Sequence, residues 1–206
     1  MWKKIAPLLL VMAMILSLAA CGKQEEQTQL QRGTVEGNTY SSDSLNVVLP
    51  LNDTWEIADE EQIAEMSGMV ADTFDNEEIK ERLENGSVVY DFYALRYDGA
   101  SLNITIQKLN LMGSALVTED SYADTNLKQL PETLAAAGIK VDDIEKDTVE
   151  FAGQEHVALK LSGEVQEVPL HETMVLVKSG SYIFLITAAT FYEDTTADLL
   201  ALFQAR

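Results

Sequence analysis

Two groups of carboxylates are the side chains most able to do chemistry in this sequence. The larger group has helical spacing and consists of Asp59, Glu60, Glu61, Asp72, Asp75, Glu77, Glu78, Glu81 and Glu84. Several carboxylate oxygens together can bind a hard cation such as Ca²⁺. However, the alternating acids and the glycine of an EF-hand loop are missing, and acids on the outside of amphipathic helices normally face solvent. We therefore predict a solvated helix face, with a divalent-cation site as the alternative.

The smaller group consists of Asp142, Asp143 and Glu145, which we predict to lie in a loop between a helix and a strand. Two acids in such a loop could act as a general acid and a general base. No histidine or cysteine stands near them in the sequence, and loops are commonly acidic in a chain with this much negative charge. The sequence therefore predicts no catalytic pair here.

The two histidines, His156 and His171, could face each other across a hairpin and bind a metal ion. Lys160 shares the predicted strand face of His156, and its positive charge opposes metal binding. We therefore predict two solvated histidines. A nucleophile elbow, a glycine-rich phosphate loop and an H-E-x-x-H pair are all missing from the sequence. The chain is therefore predicted to be no enzyme and to bind no cofactor.

The charge balance argues against a nucleic-acid partner. The chain has 206 residues, with 34 acidic against 14 basic side chains and a formal net charge of −20. Binding to phosphate backbones needs a basic surface that releases counterions. The aromatic residues Tyr90, Phe92, Tyr93 and Tyr97 follow strand spacing, so we predict that they belong to the core and do not stack on bases.

The N-terminus has the pattern of a secretory signal peptide. Lys3 and Lys4 precede an apolar run over 5–16 that is too short for a stable transmembrane helix. The next residues, Leu18-Ala19-Ala20-Cys21, resemble the lipobox of bacterial lipoproteins. This resemblance implies cleavage before Cys21 and transfer of a diacylglyceryl group to its thiol. An ordinary signal peptide with a chance cysteine near the cleavage site is the alternative.

Cys21 is the only cysteine of the chain, and we predict that it anchors the protein to the outer side of the cell membrane. Removal of the signal peptide 1–20 takes away two lysines and no acid, so the mature chain has a formal net charge of −22. Anionic lipid headgroups repel such a body. The segment 21–37 is polar and is predicted to be a flexible tether, with a reach of about 20 Å.

Residues 38–206 are predicted to form a single α+β domain. Helices are predicted over 59–83, over 119–137 with a kink or a break at Pro131, and from Thr195 onward. The first is expected to begin with a capping pair of Asp59 and Gln62, and the last is expected to bury Leu199, Leu202 and Phe203. Strands are predicted at Tyr40 and at 45–49, 88–97, 102–107, 149–151, 157–161, 170–177 and 182–191, and residues 55–57 are expected to close the first segment after a turn. The strand over 102–107 alternates apolar with polar residues, so one of its faces is expected to be wet.

Two of these strands, 88–97 and 182–191, are apolar on both faces and need cover on both sides of their sheet. Short links between strands favour antiparallel neighbours. The sequence therefore predicts a three-layer α-β-α sandwich around a mostly antiparallel sheet. This plan resembles the PsbP-like group, through Tyr40, the strand over 45–50 and Trp55. The resemblance implies a lipid-anchored or lumenal accessory protein that acts by contact.

Two functions follow from these patterns. The first is a non-enzymatic, membrane-anchored lipoprotein that acts as an accessory or protein-interaction module with a protein partner. The second is a binder of a small ligand or a divalent cation, in a site beside the sheet. The lipid that modifies Cys21 is the membrane partner in both.

Overall fold

The computed structural model describes residues 31–65, 87–109, 116–128, 130–136 and 138–206. Cys21, the signal peptide and the acids over 72–84 lie outside the described residues. Within these ranges, no helix is long and apolar enough to cross a membrane.

Eleven strands and three helices have defined bounds among the described residues. The strands are β1 (Thr34–Glu36), β2 (Thr39–Ser42), β3 (Val47–Pro50), β4 (Trp55–Ile57), β5 (Val88–Arg96), β6 (Ser101–Lys108), β7 (Ile139–Phe151), β8 (Gln154–Val165), β9 (Val168–Ser179), β10 (Tyr182–Phe191) and β11 (Gln204–Ala205). The helices are α1 (Glu119–Leu127), α2 (Leu130–Ala136) and α3 (Thr196–Leu200). Residues 60–65 are also helical.

The strands form two antiparallel sheets. The large sheet has seven strands in the order β4-β5-β6-β10-β9-β8-β7, and the small sheet has four in the order β1-β2-β3-β11. Every pairing in both sheets is antiparallel. The prediction of a mostly antiparallel sheet is therefore confirmed.

The large sheet is covered on both faces, but by different kinds of layer. One face packs against α1 and α2, through buried side chains that include Tyr122 and Leu134. The other face packs against the small sheet and the segment of α3, through Tyr40, Leu49 and Phe203. The predicted α-β-α sandwich is wrong, because short strands cover the second face where the prediction placed helices. Strands with apolar side chains on both faces show that both faces of the sheet must be packed against other elements. They do not specify whether those elements are helices or strands.

The small sheet begins inside the segment that the sequence predicts as tether. Residues 34–36 form β1, and a bulge in β5 between Tyr90 and Phe92 directs Asp91 toward this region. The buried Asp91 carboxylate accepts hydrogen bonds from Arg32 Nε at 3.1 Å, from Gly33 N at 3.0 Å and from Tyr40 Oη at 2.7 Å. A Cβ on Gly33 would collide with the Tyr40 ring. The folded structure therefore includes residues 32–37.

The strand β6 lies between β5 and β10, at the centre of the large sheet. The prediction of a wet face for this strand is wrong, because Asn103, Thr105 and Gln107 are fully buried. Their apolar neighbours Leu102 and Ile104 face the small sheet. The polar side chains of β6 therefore face the helical layer from inside the core.

Several local predictions are confirmed. Asp59 and Gln62 exchange two hydrogen bonds of 2.9 Å and cap the helical segment 60–65. The predicted helix over 119–137 is divided into α1 and α2, with Pro131 in the first turn of α2. In α3 and the turn after it, Leu199 and Phe203 are buried as predicted, whereas Leu202 is only partly buried.

Candidate functional site

The acids that the sequence singles out do not converge among the described residues. Asp59, Glu60 and Glu61 are exposed at the start of the helical segment 60–65. Asp142, Asp143 and Glu145 lie on β7, an edge strand, so the prediction of a loop is wrong. All three are exposed. The described part of the chain contains no group of three or more His, Cys, Asp or Glu residues that could hold a metal ion.

The two histidines lie at separate positions of the large sheet. His156 on β8 lies opposite Val149 of β7, whereas His171 on β9 lies opposite Ser162 of β8. The structure therefore does not bring them together as a metal-binding pair. The side chain of His156 is only 14% exposed, and its Nδ1 lies 3.1 Å from Oε1 of Glu119. The prediction that His156 is solvated is wrong, because α1 packs over this part of the sheet.

A buried group of six polar side chains lies on the helix-facing side of the large sheet. It consists of Tyr93, Ser101, Asn103, Thr105, Glu172 and Thr187, and we call it the polar cluster. All six are at most 3% exposed. They come from the four adjacent central strands β5, β6, β10 and β9, among otherwise apolar neighbours.

The strand register brings the members of the polar cluster together. Tyr93 lies opposite Asn103, which lies opposite Thr187. In the next row of the same face, Ser101 lies opposite Ala189, which lies opposite Glu172. Side chains directly opposite each other on one face are about 5 Å apart at Cβ. The short Ala189 side chain therefore lies between Ser101 and Glu172 in this row.

The polar atoms of the cluster make no hydrogen bond of normal geometry, and the Tyr93 and Ser101 hydroxyls are one pair that still interacts. Eight nitrogen and oxygen atoms of these six side chains are buried without one, including both carboxylate oxygens of Glu172 and both amide atoms of Asn103. In contrast to Asn103 and Thr105 on the same strand β6, Gln107 has a partner. Its Oε1 accepts a hydrogen bond from the hydroxyl of Tyr122 on α1. The helical layer therefore satisfies Gln107, the last polar side chain on this face of β6, but not Asn103 or Thr105.

Burial controls the electrostatics of the two ionisable members. Desolvation raises the pKa of the Glu172 carboxyl well above its ordinary value. The pKa of the Tyr93 phenol is raised first by burial and then by the charge of Glu172, while the Ser101 hydroxyl lowers it by a smaller amount. The ionisable groups of Tyr93 and Glu172 therefore influence each other across the cluster.

Buried polar atoms without partners lower the stability of the fold unless water or a ligand forms hydrogen bonds with them. A buried polar group that lacks a partner costs roughly 1–3 kcal/mol. Six such side chains would together rival the whole stability of an ordinary domain, about 5–15 kcal/mol. Nearly all buried polar groups in native proteins are therefore paired with protein, water or ligand. The polar cluster is the part of the described structure most suited to hold a small polar molecule.

Sequence reasoning missed the polar cluster. Tyr93 was expected in the core, and Asn103 and Thr105 were expected on a wet face. The available signal was the position of Thr187 in the predicted strand 182–191, which is otherwise apolar on both faces. A glutamate in the neighbouring strand, Glu172, was a second signal. The strand order that places these residues side by side cannot be derived from periodicity alone.

Comparisons with known proteins find remote similarity to solved structures. No protein-family model matches the chain, so the resemblance to the PsbP-like group gains no support. No curated protein matches either. A crystal structure from Bacteroides thetaiotaomicron is similar at a TM-score of 0.44 and 9% identity, over 84% of this chain and 49% of that one. This chain thus spans about half the length of the Bacteroides chain.

A second solved structure is LpqN, a protein involved in cell envelope biogenesis of Mycobacterium tuberculosis. Its similarity to this chain has a TM-score of 0.38 and 10% identity, over 77% of this chain and 82% of that one. At these values, neither similarity bears on the function of this chain.

Proposed function

We propose that the protein is a lipid-anchored, outward-facing lipoprotein of the cell membrane whose domain binds a small polar ligand without chemical conversion. The observation that carries the binding function is the polar cluster, with eight buried polar atoms that have no partner. The lipid anchor rests on the sequence Leu18-Ala19-Ala20-Cys21. The two parts of the proposal are independent and are tested separately.

Binding fits the polar cluster better than catalysis does. The cluster contains one carboxyl group, one amide and four hydroxyl groups, and neither histidine is a member. A general base that activates a hydroxyl nucleophile must lie within hydrogen-bond reach of it. Glu172 is the only acid of the cluster, and neither of its oxygens accepts a hydrogen bond from a hydroxyl group. Hydroxyl and amide groups that are fixed on rigid strands are well suited to orient a ligand.

A thermal-shift screen of small polar compounds tests the binding function. We expect at least one compound to raise the melting temperature of the full chain, because a ligand that binds only the folded state stabilises it. In Thr187→Val, which replaces one cluster hydroxyl by a methyl group, the shift should be much smaller. Thr148→Val on the exposed edge strand β7 is the matched control and should behave like the wild type. A screen in which no compound distinguishes Thr187→Val from the wild type would contradict the proposal.

Replacement of the cysteine tests the lipid anchor. Two acyl chains suffice for stable membrane binding, so the wild-type protein should fractionate with membranes. In Cys21→Ala we expect it to appear in the medium or the periplasm. Mass spectrometry of the N-terminal peptide should show a diacylglyceryl group on Cys21. An unmodified Cys21 in protein extracted from membranes would contradict this part of the proposal.

A protein-interaction module is the second candidate, and two exposed tyrosines favour it. Tyr97 is 75% and Tyr192 is 71% exposed, and the register places both at the same end of the large sheet, after β5 and β10. Tyr192 also has a φ of 69°, which is rare for a bulky residue. Exposed aromatic side chains are enriched in protein interfaces.

Site-specific crosslinking in cells tests this second candidate. A photoreactive residue in place of Tyr97 should give a discrete crosslinked protein if this end of the sheet is an interface. The same residue in place of the exposed Glu150 on β7 is the control and should give none. Equal crosslinking from both positions would contradict an interface at the tyrosines.

A further inference from the structure

We propose that the ligand of the polar cluster is a small organic amine whose ammonium group binds the carboxylate of Glu172. This inference rests on the proposed binding function and specifies the chemical class of the ligand. It follows from the charge of the cluster and from the hydrogen-bonding capacity of Asn103.

The carboxylate of Glu172 needs a positive charge that the described side chains do not supply. Glu172 is the only acid of the cluster, and it accepts no hydrogen bond from any side chain. The described basic side chains that form ion pairs do so elsewhere, for example Arg32 with Asp91 and Lys160 with Asp147. A buried carboxylate needs an opposite charge beside it. A ligand with one positive charge neutralises Glu172 without leaving a net charge in the core.

The number of carboxylates argues against a divalent cation. Calcium sites in proteins usually combine several carboxylates with neutral oxygens, whereas the polar cluster offers one. A divalent ion would therefore leave one uncompensated positive charge among fully buried side chains. The cluster fits a monovalent cation better.

The amide of Asn103 distinguishes an organic amine from a bare alkali ion. Its Oδ1 and its Nδ2 are both buried without a partner. An alkali ion can occupy only oxygen atoms and would leave Nδ2 unsatisfied. An amine that also carries a hydrogen-bond acceptor can donate from its ammonium to Glu172 and to Asn103 Oδ1, and it can accept from Asn103 Nδ2. Hydroxyl groups such as that of Thr187 can donate or accept and fit either end.

The charge of the whole chain supports a cationic ligand. The mature chain has a formal net charge of −22, and such a field raises the local concentration of cations and speeds their association.

The proton of the Glu172 carboxyl group must also be accounted for when the amine binds. An ammonium ion that binds the protonated Glu172 displaces one proton to solvent and leaves an ammonium–carboxylate pair. The amine is neither oxidised nor cleaved.

Three matched probes test this assignment on the full chain, purified in detergent. Ethanolamine carries an ammonium and a hydroxyl group, ethylene glycol has the same size without the charge, and NaCl supplies a cation at equal ionic strength. We expect saturable stabilisation by ethanolamine alone, with a rise in melting temperature of about 5 °C near saturation. Ethylene glycol and NaCl should give no saturable shift.

Two variants assign the effect to Glu172. Glu172→Gln keeps the shape of the side chain and removes its charge, so we expect its affinity for ethanolamine to fall at least tenfold. Glu155→Gln removes an exposed carboxylate from β8 and should bind like the wild type. Both variants should retain the circular dichroism spectrum of the wild type.

Other outcomes overturn the assignment in different ways. Equal stabilisation by ethylene glycol, or unchanged affinity in Glu172→Gln, would show a ligand site that does not select an ammonium group. Saturable binding of Na⁺ in place of ethanolamine would show a metal-ion site. No saturable shift with any probe would overturn the amine assignment. If the Thr187→Val screen then also finds no ligand, the cluster holds only water and the proposed function fails with it.

Discussion

Two buried acids in this fold have opposite surroundings. Asp91 accepts hydrogen bonds from Arg32, Gly33 and Tyr40, whereas Glu172 accepts none. A buried charge is stable only when it is paired and hydrogen-bonded. Asp91 is therefore expected to stabilise the fold, and Glu172 is expected to destabilise it until a ligand binds.

The pH dependence of stability tests this description of Glu172. Its pKa is raised by burial in the folded protein, while the unfolded chain keeps an ordinary value near 4.5. Above that value the unfolded chain ionises Glu172 while the fold keeps it neutral, so the ligand-free fold loses stability as the pH rises. The loss is up to about 1.4 kcal/mol per pH unit until the folded pKa is reached.

Urea unfolding of refolded, ligand-free protein between pH 4.5 and 7.5 measures this effect. Glu172→Gln should lack the loss and should therefore be more stable than the wild type at pH 7. The exposed Glu155→Gln should follow the wild type at every pH. Parallel curves for the wild type and Glu172→Gln would show that Glu172 is not buried as a neutral acid.

Removal of Asp91 should have the opposite effect from removal of Glu172. Asp91→Ala leaves the buried Tyr40 hydroxyl and the Gly33 N–H without an acceptor, so we expect a loss of roughly 2–4 kcal/mol in the free energy of unfolding. Asp53→Ala removes an exposed acid and is the control, expected within about 0.5 kcal/mol of the wild type. Equal stability of the two variants in urea would contradict the role of Asp91.

At the scale of elements, the sequence was most informative where local chemistry decides the structure. The capping pair Asp59 and Gln62, the break at Pro131 and the two-sided strand 182–191 could all be predicted from neighbouring residues. The small sheet that packs on the second face of the large sheet could not be predicted in this way. It depends on a pairing between β3 and β11, which lie near opposite ends of the chain. The polar cluster was missed for the same reason, since it depends on strand order.

The start of the folded region gives a prediction at this scale. Residues 32–37 supply two donors to Asp91 and the strand β1, so the fragment 31–206 should be more stable than 38–206. We expect a difference of several degrees in melting temperature, measured by circular dichroism. Identical melting of the two fragments would mean that residues 31–37 behave as part of the tether.

The end of the chain gives a second prediction. Leu199, Leu200 and Phe203 are buried against the large sheet, and each such side chain contributes roughly 1.5–3 kcal/mol. Removal of residues 195–206 also removes β11 from the small sheet. We therefore expect the fragment 31–194 to show no cooperative melting transition. A cooperative transition at the temperature of 31–206 would contradict the packing of this segment.

At the scale of the whole molecule, the proposed function combines a membrane anchor and a closed binding site on one chain. The polar cluster has no exposed polar atoms, so a ligand can enter or leave only when the structure opens locally. Such openings are slow relative to diffusion, so they limit the rate at which a ligand leaves the cluster. A bound ligand is therefore expected to remain with the protein through a gentle purification.

Native mass spectrometry of the protein extracted from its own membranes tests the central claim most directly. We expect the wild type under native conditions to be heavier than the same sample after denaturation, by the mass of one small molecule. Glu155→Gln should retain this difference and Glu172→Gln should lose it. Identical native and denatured masses for the wild type would contradict a ligand-binding function of the polar cluster.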